Sequence, residues 1–85
     1  MAVLPNVLRI GPYRFFFFSK ETLEPRHIHV TSNNPPGSAK FWIDNVALAA
    51  SYGYDARQVR ALREIVEEHR EQFARVWDEY FHNEN

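Results

Sequence analysis

Short apolar runs and period-two alternation fill the first half of the chain, a pattern typical of β-strands. Two apolar runs flank Gly11-Pro12, a dipeptide that breaks a strand and predicts a hairpin. Residues 27–31 alternate polar and apolar, whereas residues 32–38 combine Ser, Asn, Pro and Gly and predict a turn or loop. The predicted strands are residues 7–10, 13–19, 27–31 and 39–44.

The segment that follows the fourth strand is rich in small apolar residues and predicts a short helix. Asp44 or Asn45 is suitable as its N-cap, and residues 46–50 would form its body. Gly53 is suited to the left-handed position that commonly ends a helix.

A longer helix is predicted from Ala56 to about Phe81. Asp55 and Gln58 have the spacing of a capping box, and apolar residues then recur at three- and four-residue steps. Such a helix would be about 39 Å long, more than the roughly 30 Å diameter expected for a chain of this length. The helix therefore either breaks or overhangs. An overhanging end would expose a partner or dimer surface, and the alternative is that the end folds back onto the sheet; its aromatic residues are Trp77, Tyr80 and Phe81.

These elements predict an α+β fold in one domain, residues 1–85. A small antiparallel sheet of three to four strands would occupy about residues 7–44. One short and one long helix, in about residues 45–82, would pack on one face of that sheet.

Composition narrows the classes of function. The chain has 85 residues, no cysteine, and ten Lys and Arg against eleven Asp and Glu, giving a net charge of −1. Its size argues against a deep substrate cavity, and the absence of cysteine excludes disulfides and thiolate metal sites. The charge argues against bulk attraction to a membrane or nucleic acid. No segment resembles a signal peptide or membrane span, so the cytoplasm is the expected location.

One face of the predicted sheet combines basic and aromatic side chains. Alternation places Ile28, Val30, Phe41 and Ile43 toward the helices. The opposite face would display His27, His29, Arg9, Arg14, Phe16, Phe18, Lys40 and Trp42. Cations for phosphates and rings for base stacking are what single-stranded nucleic acid requires. The alternative is that another subunit covers the rings and that the charges only maintain solubility.

The His27-Ile28-His29 sequence is the sharpest candidate for chemistry. Imidazole titrates near neutral pH, so the pair could transfer protons on a phosphodiester, with Lys40 or Arg14 stabilising negative charge. A metal site would need a third ligand, for which Glu24 and Asp44 are candidates. The pair could also be an exposed feature without a role.

His69 interrupts the apolar stripe of the long helix at a position where Leu would be expected. A histidine on such a face is more often a hydrogen-bonded structural residue than a catalytic one. If the helix crosses the edge of the sheet, however, His69 could approach the His27 and His29 strand.

Four sequence runs carry a resemblance to a known family, and together they extend from about Val7 to Phe81. The runs are VLRIGPYRFFFFS, EPRHIHV, AKFWID and EIVEEHREQFARVWDEYF. They resemble a family of small bacterial proteins classed as a domain of unknown function, whose members resemble components of suspected toxin–antitoxin modules. The resemblance implies activity at the motif positions His27, His29, Lys40 and His69. Arg26 departs from the family pattern, which has proline or a small residue there, and it adds a positive charge beside the histidines.

Three functional hypotheses follow. The first is a toxin-like component of a two-gene module that acts on RNA through the sheet face, with a metal-independent ribonuclease as one form of that activity. The second is a non-enzymatic module, antitoxin-like or an adaptor, that pairs with a cognate small protein encoded nearby. The third is a metal-binding regulator that uses His27 and His29. No cofactor and no membrane partner is expected, and a homodimer is compatible with the chain.

Overall fold

The computed structural model describes residues 6–18 and 23–81, which form an antiparallel sheet followed by two helices. The α+β prediction is confirmed, with five strands instead of three to four. The strands are β1 (Leu8–Ile10), β2 (Tyr13–Phe16), β3 (His27–Asn33), β4 (Pro36–Trp42) and β5 (Leu48–Tyr52). The helices are α1 (Ala56–Glu68) and α2 (Arg70–Phe81).

The five strands pair in sequence order, so the sheet is a meander from β1 to β5. The predicted hairpin at Gly11-Pro12 is confirmed, since Ile10 pairs with Tyr13. Gly11 has a φ of 56°, a left-handed conformation that glycine adopts without steric cost. The radius of gyration is 12.2 Å, in agreement with the value expected from chain length.

The loop predicted at residues 32–38 is wrong in extent. β3 continues to Asn33 and β4 begins at Pro36, so the connection is only two residues long. Turn-forming residues marked the reversal of direction but did not set the ends of the strands. The Ser32 hydroxyl donates to the carbonyl of Pro35, which stabilises the turn from within β3.

The predicted short helix at residues 46–50 is also wrong, because Leu48–Tyr52 form β5 beside β4. Helix propensity is a weak preference, and a segment this short cannot offset the cost of helix nucleation. Pairing with β4 satisfies the backbone groups of both strands. At the turn, the Asn45 side-chain oxygen accepts from the N–H of Ala47, and the N–H of Trp42 donates to the Ala47 carbonyl.

The capping box that starts the helical half is confirmed. The Asp55 carboxylate accepts from the N–H of Gln58, and the Gln58 side chain accepts from the N–H of Asp55, each at 2.8 Å. The long helix breaks at His69, which is the C-cap of α1. The break shortens the helical rod, so the end of α2 returns to the sheet.

The core lies between one face of the sheet and the two helices. Ile28, Val30, Phe41 and Ile43 are buried there as predicted. Trp77 and Phe81 are 6% exposed and pack against Phe17, so the end of α2 folds back instead of overhanging. Of the three aromatic residues predicted for a partner surface, Tyr80 alone is exposed. Within residues 6–18 and 23–81, neither helix has the length and apolar character needed to cross a bilayer.

Candidate nucleic-acid interface on the open face of the sheet

The side of the sheet away from the helices, called the open face here, is organised by the strand register. Cα pairing aligns Phe16, His29, Lys40 and Ala50 in one row across β2 to β5. A neighbouring row begins with Arg14 and continues through the hydroxyl row, defined as Thr31, Ser38 and Tyr52. The Cβ atoms of directly opposed residues are about 5 Å apart. The open face therefore presents an ordered array rather than isolated groups.

Phe16, Phe18 and His29 form a compact group, called the aromatic cluster here. The His29 ring stacks on Phe16 with centroids 5.6 Å apart and meets Phe18 edge-on at 4.6 Å. Phe16 and Phe18 are also edge to face, at 5.2 Å. Each of the three side chains is partly exposed. The cluster can therefore offer ring surface to a ligand while its members hold each other in position.

A groove of about 360 Å³ lies between the aromatic cluster and β5. Its lining is mainly apolar, and the hydroxyl row crosses it. Ala50 leaves space on the β5 side of the groove because its side chain is small. The groove thus has rings at its β2 end and hydroxyl groups across it from β3 to β5.

Lys40 and Trp42 lie together on β4, with Lys40 between His29 and Ala50 in its row. The Lys40 ammonium is 4.7 Å from the centre of the Trp42 ring and 2.6 Å from a Glu24 carboxylate oxygen. The cation is therefore held by a carboxylate and an aromatic face together. It lies beside the groove, not in its lining.

Arg9 and Arg14 supply positive charge at the β1 and β2 end of the open face. The two residues are Cα partners, and Arg14 is in turn paired with Thr31 of β3. Arg9 is exposed and Arg14 is half-buried. Arg14 is therefore one strand away from the groove residue Thr31, and Arg9 is one strand further.

His27 is buried, whereas His29 is partly exposed. The prediction that both histidines are displayed on the open face is therefore wrong for His27. Its side chain is 0% exposed, with the Trp77 ring 4.9 Å and the Trp42 ring 5.7 Å from the imidazole. The Nδ1 atom is 2.8 Å from the carbonyl oxygen of Pro25. A carbonyl can only accept, so Nδ1 carries a proton. Alternation placed His27 correctly beside His29, with ring centroids 5.2 Å apart, but could not reveal that α2 covers it.

His69 lies in the helical layer. Its Nδ1 is 2.9 Å from the Ile65 carbonyl, to which it donates, and its ring contacts Phe73 at 6.0 Å. Phe73 stacks on Phe15 in the core, so His69 is on the helix side of the sheet whereas His29 is on the open face. The structure does not bring these two histidines together.

The two carboxylates considered as metal ligands have basic partners. Asp44 accepts from Arg26 at 2.7 Å, and Arg26 also pairs with Asp78 of α2 at 2.9 Å. The hydrogen bond that the Arg26 guanidinium donates to Asp44 is the main cause that raises the pKa of Arg26. Glu24 pairs with Lys40. Within residues 6–18 and 23–81, no three His, Asp or Glu side chains are grouped closely enough to hold a metal ion.

The sequence did not predict that Thr31, Ser38, Ala50 and Tyr52 would line the groove. The last two belong to the strand that was interpreted as a helix, so their place on the open face was hidden. A signal was present, because Thr31 continues the alternation of His27 and His29.

Comparison with known proteins gives a family but no homologue of known activity. Residues 13–78 match the family described as Domain of unknown function (DUF4160). The chain matches no curated protein and no solved structure. The matched range contains the aromatic cluster, the hydroxyl row and most of both helices.

Proposed function

The chain belongs to the family of domains of unknown function DUF4160, and from the geometry of its open face we propose that it binds single-stranded RNA as the toxin-like component of a bacterial two-gene module. The observation that carries the proposal is the aromatic cluster beside Arg9 and Arg14. Stacking on an aromatic side chain contributes about 1–3 kcal/mol per base, and cations hold the phosphates.

The charge distribution supports this proposal despite the net charge of −1. Arg9, Arg14 and Lys40 lie on strands of the open face. The helices carry the exposed carboxylates Glu64, Glu67, Glu68 and Glu71 together with exposed arginines, so positive and negative charges are nearly balanced there; the arginines are Arg57, Arg60, Arg63, Arg70 and Arg75. The local electrostatic potential at the surface, and not the net charge of the whole chain, determines where a polyanion binds.

We propose binding rather than proton transfer as the role of the open face. General acid–base catalysis needs a group within hydrogen-bonding distance of the substrate. His27 is fully buried and donates to Pro25, so only His29 of the pair is positioned to touch RNA. In this proposal toxicity arises in the cytoplasm because RNA is held in an unproductive state, and a cognate protein encoded nearby neutralises it by covering the open face.

The direct test is fluorescence anisotropy with labelled single-stranded RNA at low salt. Phe16→Ala and Phe18→Ala should each weaken binding by at least about five-fold, the lower end of the stacking contribution. Arg14→Ala should weaken binding and reduce its salt dependence, since each lost phosphate contact lowers the number of released counterions.

Tyr80→Ala is the matched control, because Tyr80 is an exposed aromatic residue on α2, away from the open face. It should bind RNA as the wild type does. Equal losses in Tyr80→Ala and Phe16→Ala, or no RNA binding by the wild type, would refute the proposal.

A cellular experiment tests the toxin-like role separately. Induced expression in a bacterium should arrest growth, and Phe16→Ala combined with Phe18→Ala should relieve the arrest while the protein remains folded and abundant. Growth arrest that persists in the double variant would separate toxicity from RNA binding.

A further inference from the structure

The groove on the open face has an asymmetric hydrogen-bonding capacity that bears on which bases it accepts. Thr31 Oγ1 is 3.2 Å from the carbonyl oxygen of Gly37 and donates to it. A hydroxyl has one proton, so Thr31 can offer a ligand only its lone pairs. Thr31 is therefore an acceptor within the groove.

We infer that the groove holds one unpaired RNA base and prefers a base with an exocyclic amino group, so that cytosine binds better than uracil. This inference rests on the proposed function, because it names the base that the open face selects. The two pyrimidines have nearly the same shape but differ at position 4, where cytosine carries an amino donor and uracil a carbonyl acceptor.

The placement of the base follows from the two ends of the groove. Its ring lies against the aromatic cluster, and its polar edge extends toward the hydroxyl row, which crosses the groove on β3, β4 and β5. In the opposite orientation the polar edge of the base would lie against the phenylalanine rings, and the polar atoms of that edge would have no hydrogen-bond partners.

Thr31 discriminates and Ser38 does not. When position 4 of the base faces Thr31 Oγ1, the amino group of cytosine donates to it, whereas the carbonyl of uracil would set one acceptor against another. Within the described residues, the Ser38 hydroxyl forms no hydrogen bond, so it can either donate or accept. Removing Ser38 should therefore affect both bases alike, and removing Thr31 should affect cytosine alone.

Charge complementarity identifies the occupant as part of an RNA chain. Arg14 is the residue that precedes Thr31 in its row across the sheet, so a positively charged side chain belongs to the strand next to the groove. The next cation along β1 is Arg9. A nucleotide whose base fills the groove would have its phosphates within the field of these two side chains.

The test compares oligocytidylate with oligouridylate, each about ten nucleotides long to cover one binding site, at neutral pH. The wild type should bind oligocytidylate about three- to ten-fold more tightly than oligouridylate. This ratio is expected when one ligand gains a hydrogen bond and the other places two acceptors against each other. Thr31→Val, which replaces the hydroxyl with a methyl group, should bring that ratio close to one and leave oligouridylate binding within about two-fold of the wild type.

Ser38→Ala is the companion variant and should weaken both oligonucleotides to a similar extent. Urea unfolding should establish that each variant is folded, since Thr31→Val also removes the bond to Gly37. If oligocytidylate and oligouridylate bind the wild type equally, or if Thr31→Val keeps the preference, the inference is overturned and the proposed function stands. If neither oligonucleotide binds, the proposed function itself fails.

Discussion

The imidazole of His27 lies against the indole of Trp77, with ring centroids 4.9 Å apart and an angle of 58° between the planes. This contact joins the first residue of β3 to the last turns of α2. The Trp77 and Trp42 rings both pack against His27, whose side chain is 0% exposed. The two histidines of one short motif therefore have different environments, His27 in the packed interior and His29 on the open face.

The first prediction separates these two histidines. His27→Ala should lower the free energy of unfolding by about 2–4 kcal/mol, because it leaves a cavity and removes the donor to Pro25. His29→Ala should cost about 1 kcal/mol or less, since the side chain is partly exposed, but should weaken RNA binding at least about five-fold. Urea unfolding and RNA anisotropy measure the two effects. The reverse order of stability losses would contradict the assignment.

The second prediction concerns the end of α2. Trp77→Ala should destabilise the protein by about 3–5 kcal/mol, because the indole is buried against Phe17 and His27. Tyr80→Ala should change the free energy of unfolding by less than about 1 kcal/mol, as expected for an exposed residue. Thermal unfolding followed by circular dichroism distinguishes them. Similar losses in the two variants would mean that this end of the helix does not pack as described.

Features that depend on neighbours in sequence could be predicted here. The Asp55 and Gln58 capping box involves residues three apart, and the alternation in β3 reports one strand's two faces. The position of Phe16 and His29 on the same face as Arg14 followed from alternation as well. Once the turn at Gly11-Pro12 is identified, it sets the register of β1 against β2.

Features that depend on distant parts of the chain could not be predicted. β5 forms because its backbone groups pair with those of β4. The local sequence of Leu48–Tyr52 by itself favours a helix. The burial of His27 is imposed by Trp77 from the other end of the chain. The acceptor role of Thr31 depends on the Gly37 carbonyl of the neighbouring strand. Each of these is a tertiary contact that overrides or completes a local tendency.

A third prediction compares two glycines. Gly53 has a φ of 81°, and a Cβ there would lie 2.7 Å from the Pro36 carbonyl oxygen. Gly11 has a φ of 56° but open space around it. Gly11→Ala should cost about 1–2 kcal/mol from backbone conformation, and Gly53→Ala should cost more because backbone atoms must also move. Urea midpoints at constant m-value give the comparison, and equal losses would count against a close approach at Gly53.

The fourth prediction is a pH dependence. Burial raises the pKa of the Tyr54 phenol above its ordinary value of 10.0. The native state therefore retains this proton when the unfolded state has lost it, so stability is fully present below pH about 10 and falls as the pH rises further. Tyr54→Phe should show a shallower decline above that pH, measured by urea unfolding at a series of pH values. Tyr80→Phe is the control and should follow the wild type; an unchanged slope in Tyr54→Phe would exclude Tyr54 as the cause.

The last prediction concerns the carboxylate that holds Lys40. Glu24 lies 2.6 Å from the Lys40 ammonium and competes with any phosphate that approaches it. Glu24→Gln should therefore tighten RNA binding about two- to five-fold at low salt and make it more salt-dependent, because one more cation can exchange its counterion for a phosphate. The same substitution at Glu67, an exposed residue of α1, alters the net charge equally and should have a smaller effect. If both variants tighten binding to the same degree, the gain comes from net charge alone and Lys40 makes no phosphate contact.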